Sequence, residues 1–308
     1  MADIILGVET EFDAALDRDH SLYTSTYTIY HASPKGVGHG KVHKKHGLLV
    51  KGVDEAGEGF IQVHYDGTAT NSDHDNDGWE LVGEPASIEA NKAQWSKLYQ
   101  SQVMAALQIN KGCGMHVHVS GDDVTTDVMK RVTYFINEEA NKEFITYIAG
   151  RYDSPYCKIN RDYTDELLDV LFHSENCAKD GRAKRKIDVG EAPSTSNGPW
   201  CCVNMKAFRQ AWVSHKYVRG AISHTPQKNT GDFEFRLFAT PPSIARFLSN
   251  LDFVHALIKY CLESDNVTFN EFCLWLQSKR ERRGKYRHLF QWLREGSYVE
   301  GLIPRMNG

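Results

Sequence analysis

The sequence predicts an α+β fold, and the order of its elements supports this. The chain begins with an alternating, strand-like segment, continues with strand patterns separated by helical ones, and is helical after Pro241. It shows no internal repeat and no stretch with the composition of a linker. We therefore predict that residues 1–240 form the sheet-bearing part of one domain, and that residues 241–308 form a helical cap packed on it.

Composition excludes several classes of protein. The chain has 308 residues, 41% of them hydrophobic and 25% charged, as expected for a globular protein. A net charge of -4 argues against a broad nucleic-acid surface, although it leaves room for a local basic patch. We see no signal peptide and no run of about 18 apolar residues, so we expect a cytoplasmic protein. The seven cysteines lack a Cys-x-x-Cys spacing and are expected to be reduced thiols.

The elements can be assigned from residue periodicity. Period-two alternation and β-branched or aromatic content predict strands over residues 1–13, 24–32, 60–66, 114–120, 200–208 and 232–239. Apolar residues at helical spacing predict helices over residues 87–109, 125–150, 164–174, 243–264, 268–279 and 286–295. The second helical region should end at Gly150, because glycine is the usual residue after a helix C-terminus. Residues 33–59 are rich in Gly, Lys and His and are predicted to form loops around one short strand, whereas residues 174–199 have no period and are a predicted mobile loop.

Three predicted strands carry pairs of ionisable residues two positions apart. Such pairs share one face of a strand, while the apolar residues between them share the other. The pairs are Glu9 with Glu11, His116 with His118, and Glu234 with Arg236. If the three strands are neighbours in one sheet, their ionisable faces converge.

A converging set of carboxylates needs a neutralising partner. Partly buried carboxylates cost several kcal/mol each when they are unpaired, and a divalent cation removes that cost. Oxygen ligands with one imidazole suit Mg²⁺ or Mn²⁺ better than Zn²⁺, which prefers more histidine and cysteine. Asp66 at the end of one strand, and Glu80 and Glu84 before the first helix, extend the acidic set.

Seven stretches occur in an order that resembles one enzyme family. They are GVETEF, DGTA, WELVGEP, CGMHVHVS, RYDSPYC, VNMKAF and FEFRLF, between residue 4 and about residue 240. This order resembles that of the glutamine-synthetase-like carboxylate-amine ligases, and is most similar to the amidoligase branch found in bacteria and phages. The combination of Glu-x-Glu, Gly-Met-His-x-His and Glu-x-Arg carries the resemblance, since each motif alone is weak.

The resemblance implies a fold, a site and a catalytic role for residues 1–240. The fold would be a twisted, mainly antiparallel sheet of the kind found in the catalytic domains of glutamine synthetase and glutamate-cysteine ligase, with ATP and Mg²⁺ ions on its concave face. The resemblance assigns the metal ligands to Glu9, Glu11, Asp66, Glu80, His116 and Glu234. It places Arg236 against the transferred phosphate and His118 near the acceptor. It implies substrate or nucleotide contacts for Arg151, Asn204 and Glu84.

The acidic insertion allows a second interpretation. Its spacing matches an EF-hand calcium loop at Asp73, Asp75, Asp77, Gly78 and Glu84. Against this, the preceding segment is strand-like and Pro85 directly follows the last ligand. Glu80 also occupies a position that is normally apolar in an EF-hand loop. We favour an acidic hairpin tip. If calcium did bind there, Glu84 would be a loop ligand.

The chemistry that follows is ATP-dependent carbon–nitrogen ligation. The acid is activated as an acyl phosphate and then attacked by an amine, so no side-chain nucleophile is needed. This agrees with the absence of a Gly-x-Ser-x-Gly elbow and of a Walker A loop from the sequence. A metal-dependent hydrolase or oxygenase using His116 and His118 is the alternative, and an inactive structural relative is the third interpretation. Peptide, amino acid, polyamine, cell-wall peptide and modified nucleobase all stay open as substrates.

Overall fold

The computed structural model describes part of the chain. The described residues are 4–14, 60–65, 77–101, 103–104, 107–120, 124–151, 153–154, 157–158, 224–227, 230–265, 267–296 and 298. They form helices and an open antiparallel sheet, which confirms the predicted α+β class. The glutamine-synthetase type of that sheet stays a prediction. The strand predicted over residues 24–32, the strand over 200–208 and the helix over 164–174 lie outside the described residues.

The elements follow the chain in this order. The strands are β1 (Ile5–Ala14), β2 (Ile61–Tyr65), β3 (Asp77–Gly83), β4 (Gly114–Ser120), β5 (Asp153–Ser154), β6 (Cys157–Lys158), β7 (His224–Gln227) and β8 (Thr230–Ala239). The helices are α1 (Ile88–Gln100), α2 (Thr126–Asn137), α3 (Lys142–Ala149), α4 (Ile244–Glu263), α5 (Phe269–Ser278), α6 (Arg280–Lys285) and α7 (Arg287–Glu295), with a short 3₁₀ turn before α3.

The chain divides into two compact units. The strand unit comprises Leu6–His116 and Ala239–Ile244. The helix unit comprises Met1–Ile5, Val117–Phe238 and Ala245–Gly308. The predicted boundary at residue 240, between a catalytic part and a helical cap, stays a prediction.

The strand unit is built on alternation. Its strands follow the order β2-β3-β1-β4, with β1 antiparallel to β3 and β2 antiparallel to β3. One face supplies the core, because alternate residues of each strand are apolar and almost fully buried: Leu6, Val8, Phe12, Ile61, Val63, Trp79, Leu81 and Met115. From α1, Trp95 and Leu98 are also fully buried. The other face is therefore left for ionisable residues.

Helix α1 is capped at both ends, and it is shorter than predicted. The Ser87 hydroxyl accepts from the backbone N–H of Ala90. At the other end, the Ser101 N–H donates to the carbonyl of Leu98 and the Ser101 backbone is extended, with ψ near 160°. The prediction that this helix continues to residue 109 is wrong, because Ser101 ends it. Asn91 donates to the carbonyls of Leu6 and Ala86 and so ties α1 to β1.

The helix unit contains residues 117–120 of β4, strand β8 as far as Phe238, strand β7 and most of the helices. The single helix predicted over residues 125–150 is instead α2, a 3₁₀ turn and α3, because Glu138 adopts an extended backbone conformation. Its predicted end is confirmed, since Gly150 has a positive φ of 70° after α3. The predicted C-terminal helices are confirmed as α4, α5 and α7, whereas the short α6 was not predicted.

Aromatic rings join four helices of this unit. We call Phe135, Phe144, Phe253, Tyr260, Phe272 and Trp275 the aromatic cluster. Phe272 lies at its centre, with ring centroids 5.3 Å from Phe135, 6.2 Å from Phe253 and 5.5 Å from Tyr260. Most of these contacts are edge-to-face, the arrangement that the aromatic quadrupole favours.

Two further expectations concern cysteines and membranes. Cys113, Cys261 and Cys273 are buried, and burial raises the pKa of both Cys261 and Cys273 to about 12. These two thiols therefore stay protonated and unreactive at neutral pH. Among the helices that the structure describes, none combines the length and the apolar composition needed to cross a bilayer.

Candidate metal site

A histidine lies between two carboxylates on the ionisable face of the strand unit. His116 Nδ1 is 3.5 Å from Glu9 Oε2, and His116 Nε2 is 3.7 Å from Glu11 Oε1. The His116 side chain is 5% exposed, while those of Glu9 and Glu11 are 26% and 10% exposed. The predicted pairing of the Glu-x-Glu and His-x-His strands on one face is thus confirmed for these three residues.

Register brings a third carboxylate to the same place. In the antiparallel pair of β1 and β3, Glu11 lies directly opposite Glu80, and opposite residues share a face. Ligand atoms of Glu9, Glu80 and His116 all lie within 4.8 Å of one another. We call Glu9, Glu11, Glu80 and His116 the carboxylate–histidine cluster.

Glu11 has a second contact that sets it apart from Glu9. Its Oε2 accepts from the backbone N–H of Gly114 at 2.7 Å, and its carbonyl accepts from the Thr240 hydroxyl at 2.8 Å. The backbone N–H of Thr240 in turn donates to the carbonyl of Cys113. Glu11 is therefore held by the start of β4 and by Thr240, the residue after β8. Its predicted role as a metal ligand stays a prediction.

The donor set of the cluster suits a hard divalent cation. Two carboxylates and one imidazole within 4.8 Å are the oxygen-rich ligands that Mg²⁺ and Mn²⁺ accept. Like charges held this close in a partly buried place repel one another, so a cation there would be stabilising. The residues present therefore fit such an ion.

The remaining predicted groups of the helix unit lie together on strands β4 and β8. Ligand atoms of His118 and Glu234 are within 4.8 Å of one another. Glu234 is 2% exposed and forms an ion pair with Arg236, two residues along the same strand. This pair joins a predicted metal ligand to the predicted phosphate-binding arginine, a contact that the sequence analysis did not foresee.

Arg151 contacts the backbone of β8. Its Nη2 donates to the carbonyl of Arg236 at 2.8 Å, and its Nε donates to the carbonyl of Leu237 at 3.4 Å. These bonds hold the strand that carries Glu234 and Arg236. Its predicted contact with substrate or nucleotide stays a prediction.

Glu84 directly follows β3 and is exposed to solvent. Its Oε1 accepts from Gln62 Nε2 at 3.3 Å, and its backbone N–H donates to the carbonyl of Phe60. The predicted ligand Asp66 and the predicted substrate residue Asn204 lie outside the described residues, as do Asp73 and Asp75 of the acidic insertion.

The structure also adds positions that the sequence analysis missed. The contact of Thr240 with Glu11 could not be predicted, because nothing in the sequence connects these two residues. His64 lies opposite Glu80 in the register of β2 and β3. The signal for His64 was available, since residues 61–65 alternate and end one residue before the predicted ligand Asp66.

Comparison with known proteins assigns no family. No protein-family model matches the chain, and a search of curated proteins finds no significant match. The resemblance to carboxylate-amine ligases therefore stays a prediction that depends on the seven stretches and their order.

Proposed function

We propose that this protein is an ATP-dependent carboxylate-amine ligase that forms an amide or peptide bond through an acyl phosphate. The observation that supports it most is the carboxylate–histidine cluster, in which Glu9, Glu80 and His116 have ligand atoms within 4.8 Å. The seven stretches that resemble the family supply the class of reaction. In this proposal the sheet is of the glutamine-synthetase type, and the reaction takes place in the cytoplasm, where ATP and Mg²⁺ are supplied.

The cluster would hold the metal, and the surrounding residues would position it. Glu9, Glu80 and His116 would bind the ion, while the bond from Gly114 fixes the orientation of the Glu11 carboxylate beside them. A bound Mg²⁺ would neutralise the phosphate oxygens of ATP and favour phosphoryl transfer to the carboxylate substrate. Calorimetry should detect ATP binding with Mg²⁺ and a large loss of affinity with EDTA. Equal affinity under both conditions would contradict the metal site.

Arg236 would stabilise the charge of the transferred phosphoryl group. Arg236→Ala should lower turnover by roughly two to three orders of magnitude, the usual loss for one electrostatic stabiliser, with a smaller loss in ATP affinity. The change also removes the guanidinium from the buried carboxylate of Glu234, so circular dichroism must first show that the variant is folded. Arg280→Ala is the matched control, because Arg280 is an exposed residue of α6. Normal turnover of Arg236→Ala would place the phosphate elsewhere.

The decisive experiment tests the reaction itself. The protein is incubated with ATP, Mg²⁺ and pools of carboxylates and amines, and phosphate release is followed together with product mass. We expect a product equal in mass to acid plus amine minus water, and a hydroxamate when hydroxylamine replaces the amine. A covalent acyl-enzyme, or product without ATP, would overturn the proposal and favour the metal-dependent hydrolase.

A further inference from the structure

The C-terminal helices carry a concentration of positive charge that the proposed reaction does not use. Residues 279–295 contain seven lysines and arginines and two glutamates, in a chain whose net charge is -4. Six of the seven basic residues are exposed: Lys279, Arg280, Arg283, Lys285, Arg287 and Arg294. The seventh, Arg282, contacts other residues of the helix unit: its guanidinium lies 4.0 Å from the centroid of the Trp275 ring and forms an ion pair with Glu263.

Three of the exposed arginines line one groove. The groove has a volume of about 630 Å³ and is lined by Arg283, Arg287, Phe290, Gln291, Arg294 and Glu295. Positions 287, 290, 291 and 294 lie at helical spacing on one face of α7. Two arginines, an aromatic ring and an amide are thereby presented side by side, and α6 contributes Arg283 to the same groove.

The opposite face of α7 fixes this arrangement. Leu289 and Leu293 are fully buried, and Asp252 Oδ2 accepts from the backbone N–H groups of His288 and Leu289 at 3.1 and 3.3 Å. An amphipathic helix that binds a membrane presents its apolar face outward. Here that face is packed inside the helix unit, so the arginine face is the one available to a partner.

We propose that this groove binds single-stranded nucleic acid. Arginines contact backbone phosphates, and an aromatic ring between them can stack on a base, which is the combination used by proteins that bind single strands. Arg287 and Arg294 are seven residues apart, or about 10 Å along the helix axis. At that separation the two guanidinium groups can contact different phosphates of one strand. The proposal does not depend on the ligase activity.

The first test measures binding with a matched charge control. Fluorescence anisotropy of a labelled 12-mer of deoxythymidine is recorded with the full chain between about 50 and 200 mM salt. Arg287→Glu/Arg294→Glu should weaken binding at least tenfold and reduce the slope of log K against log salt by about 1.4, since each single-strand phosphate contact contributes about 0.7. Lys97→Glu/Lys111→Glu, with the same change in charge at two exposed lysines of the strand unit, should stay within about twofold.

Three results of this test would overturn the proposal. They are the absence of binding at about 50 mM salt, an equal loss of oligonucleotide affinity in the two double variants, and an affinity for polyglutamate equal to that for the oligonucleotide. A preference for inorganic phosphate or anionic vesicles over the oligonucleotide would contradict it as well. Each result is independent of ATP binding, so failure here leaves the ligase proposal to its own experiment.

The second test isolates stacking from charge. Phe290→Ala should weaken oligonucleotide binding by about tenfold without changing the salt slope, because the ring contributes no charge. Phe290 is half-buried, so the melting temperature is measured alongside, and Phe290→Tyr should restore binding because it keeps the ring. Unchanged affinity in Phe290→Ala would show that no base stacks on this ring and would overturn the proposed binding of single strands.

Discussion

Both units bury ionisable side chains, but they use them differently. In the helix unit, Asp252, Arg246 and His255 contact a helix end or a neighbouring polar group. In the strand unit, carboxylates lie beside other carboxylates around one imidazole. Buried polar groups of the helix unit thus stabilise its fold, whereas those of the strand unit suit a bound cation.

The helix unit matches its buried polar groups with local partners. Asp252 accepts from the first amides of α7, where the helix dipole favours negative charge. Arg246 donates to the carbonyl of Tyr147 at 2.8 Å and also to that of Ile148, at the end of α3. Burial lowers the pKa of Arg246 to about 10, so it is still charged at neutral pH. His255 Nδ1 and the hydroxyl of Tyr286 share a hydrogen bond of 2.9 Å.

The carboxylate–histidine cluster of the strand unit has a different balance. Three glutamates lie around one histidine, so within these four residues the carboxylates outnumber the imidazole by three to one. Carboxylates are therefore in excess among the four. The excess is reasonable if a cation binds there, since like-charge repulsion in the metal-free state is then relieved on binding.

The largest expected effect tests the helix unit. Phe272→Ala should lower the free energy of unfolding by about 3–5 kcal/mol, because it removes a fully buried ring at the centre of the aromatic cluster. Chemical denaturation measures this. Leu274→Ala on the same helix is the control, since Leu274 is 46% exposed and should change stability by less than about 1 kcal/mol. Similar losses in both variants would show that the aromatic cluster is not the core of this unit.

The next prediction tests the strand unit by metal removal. Glu9→Gln should leave the metal-free protein as stable as before or slightly more so, and should abolish stabilisation by Mg²⁺ or Mn²⁺. In the unchanged protein that stabilisation should reach about 2.7 kcal/mol at a metal concentration a hundred times Kd. Thermal unfolding with and without metal measures both quantities, and Glu89→Gln at an exposed position of α1 is the control. A large loss of stability in metal-free Glu9→Gln would make the cluster structural.

A smaller effect distinguishes structural carboxylates from the cluster. Asp252→Ala should cost about 2 kcal/mol of stability with or without metal, because it leaves two amides at the start of α7 without their charged acceptor. Asp265→Ala provides the control, since the exposed pair of Asp265 with Arg131 should contribute at most about 1 kcal/mol. If the loss of stability in Asp252→Ala depended on metal, Asp252 would not be a purely structural carboxylate.

The smallest effect concerns two glycines of the helix unit. Gly284→Ala should raise stability by about 0.5 kcal/mol, since Gly284 lies in α6 and a Cβ there would meet nothing within 4 Å. Gly150→Ala should lower it by about 1 kcal/mol, because φ is 70° at that position. Urea unfolding of the two variants tests the contrast. If the two substitutions changed stability equally, the backbone conformation of the two glycines would not determine the effect.

Local periodicity was enough to predict the separate elements. The alternation of residues 114–120 predicted His116 on one face of the strand and Met115 and Val117 on the other. The structure buries these two apolar residues completely. Gly150 was identified as a helix end from its residue type alone. Such features depend on neighbours in sequence, which is why the sequence determines them.

Tertiary structure decided how the elements combine. The register that sets Glu80 opposite Glu11, the bond from Thr240 to Glu11, and the ion pair of Glu234 with Arg236 each depend on strand pairing or on side-chain conformation. The breaks at Ser101 and Glu138 replaced longer predicted helices for the same reason, since local spacing there still favoured a helix. The sequence by itself determined which residues share a face of each element. Only the packing of elements far apart in the chain decided which of those faces meet, because contact free energies between distant segments outweigh local preference.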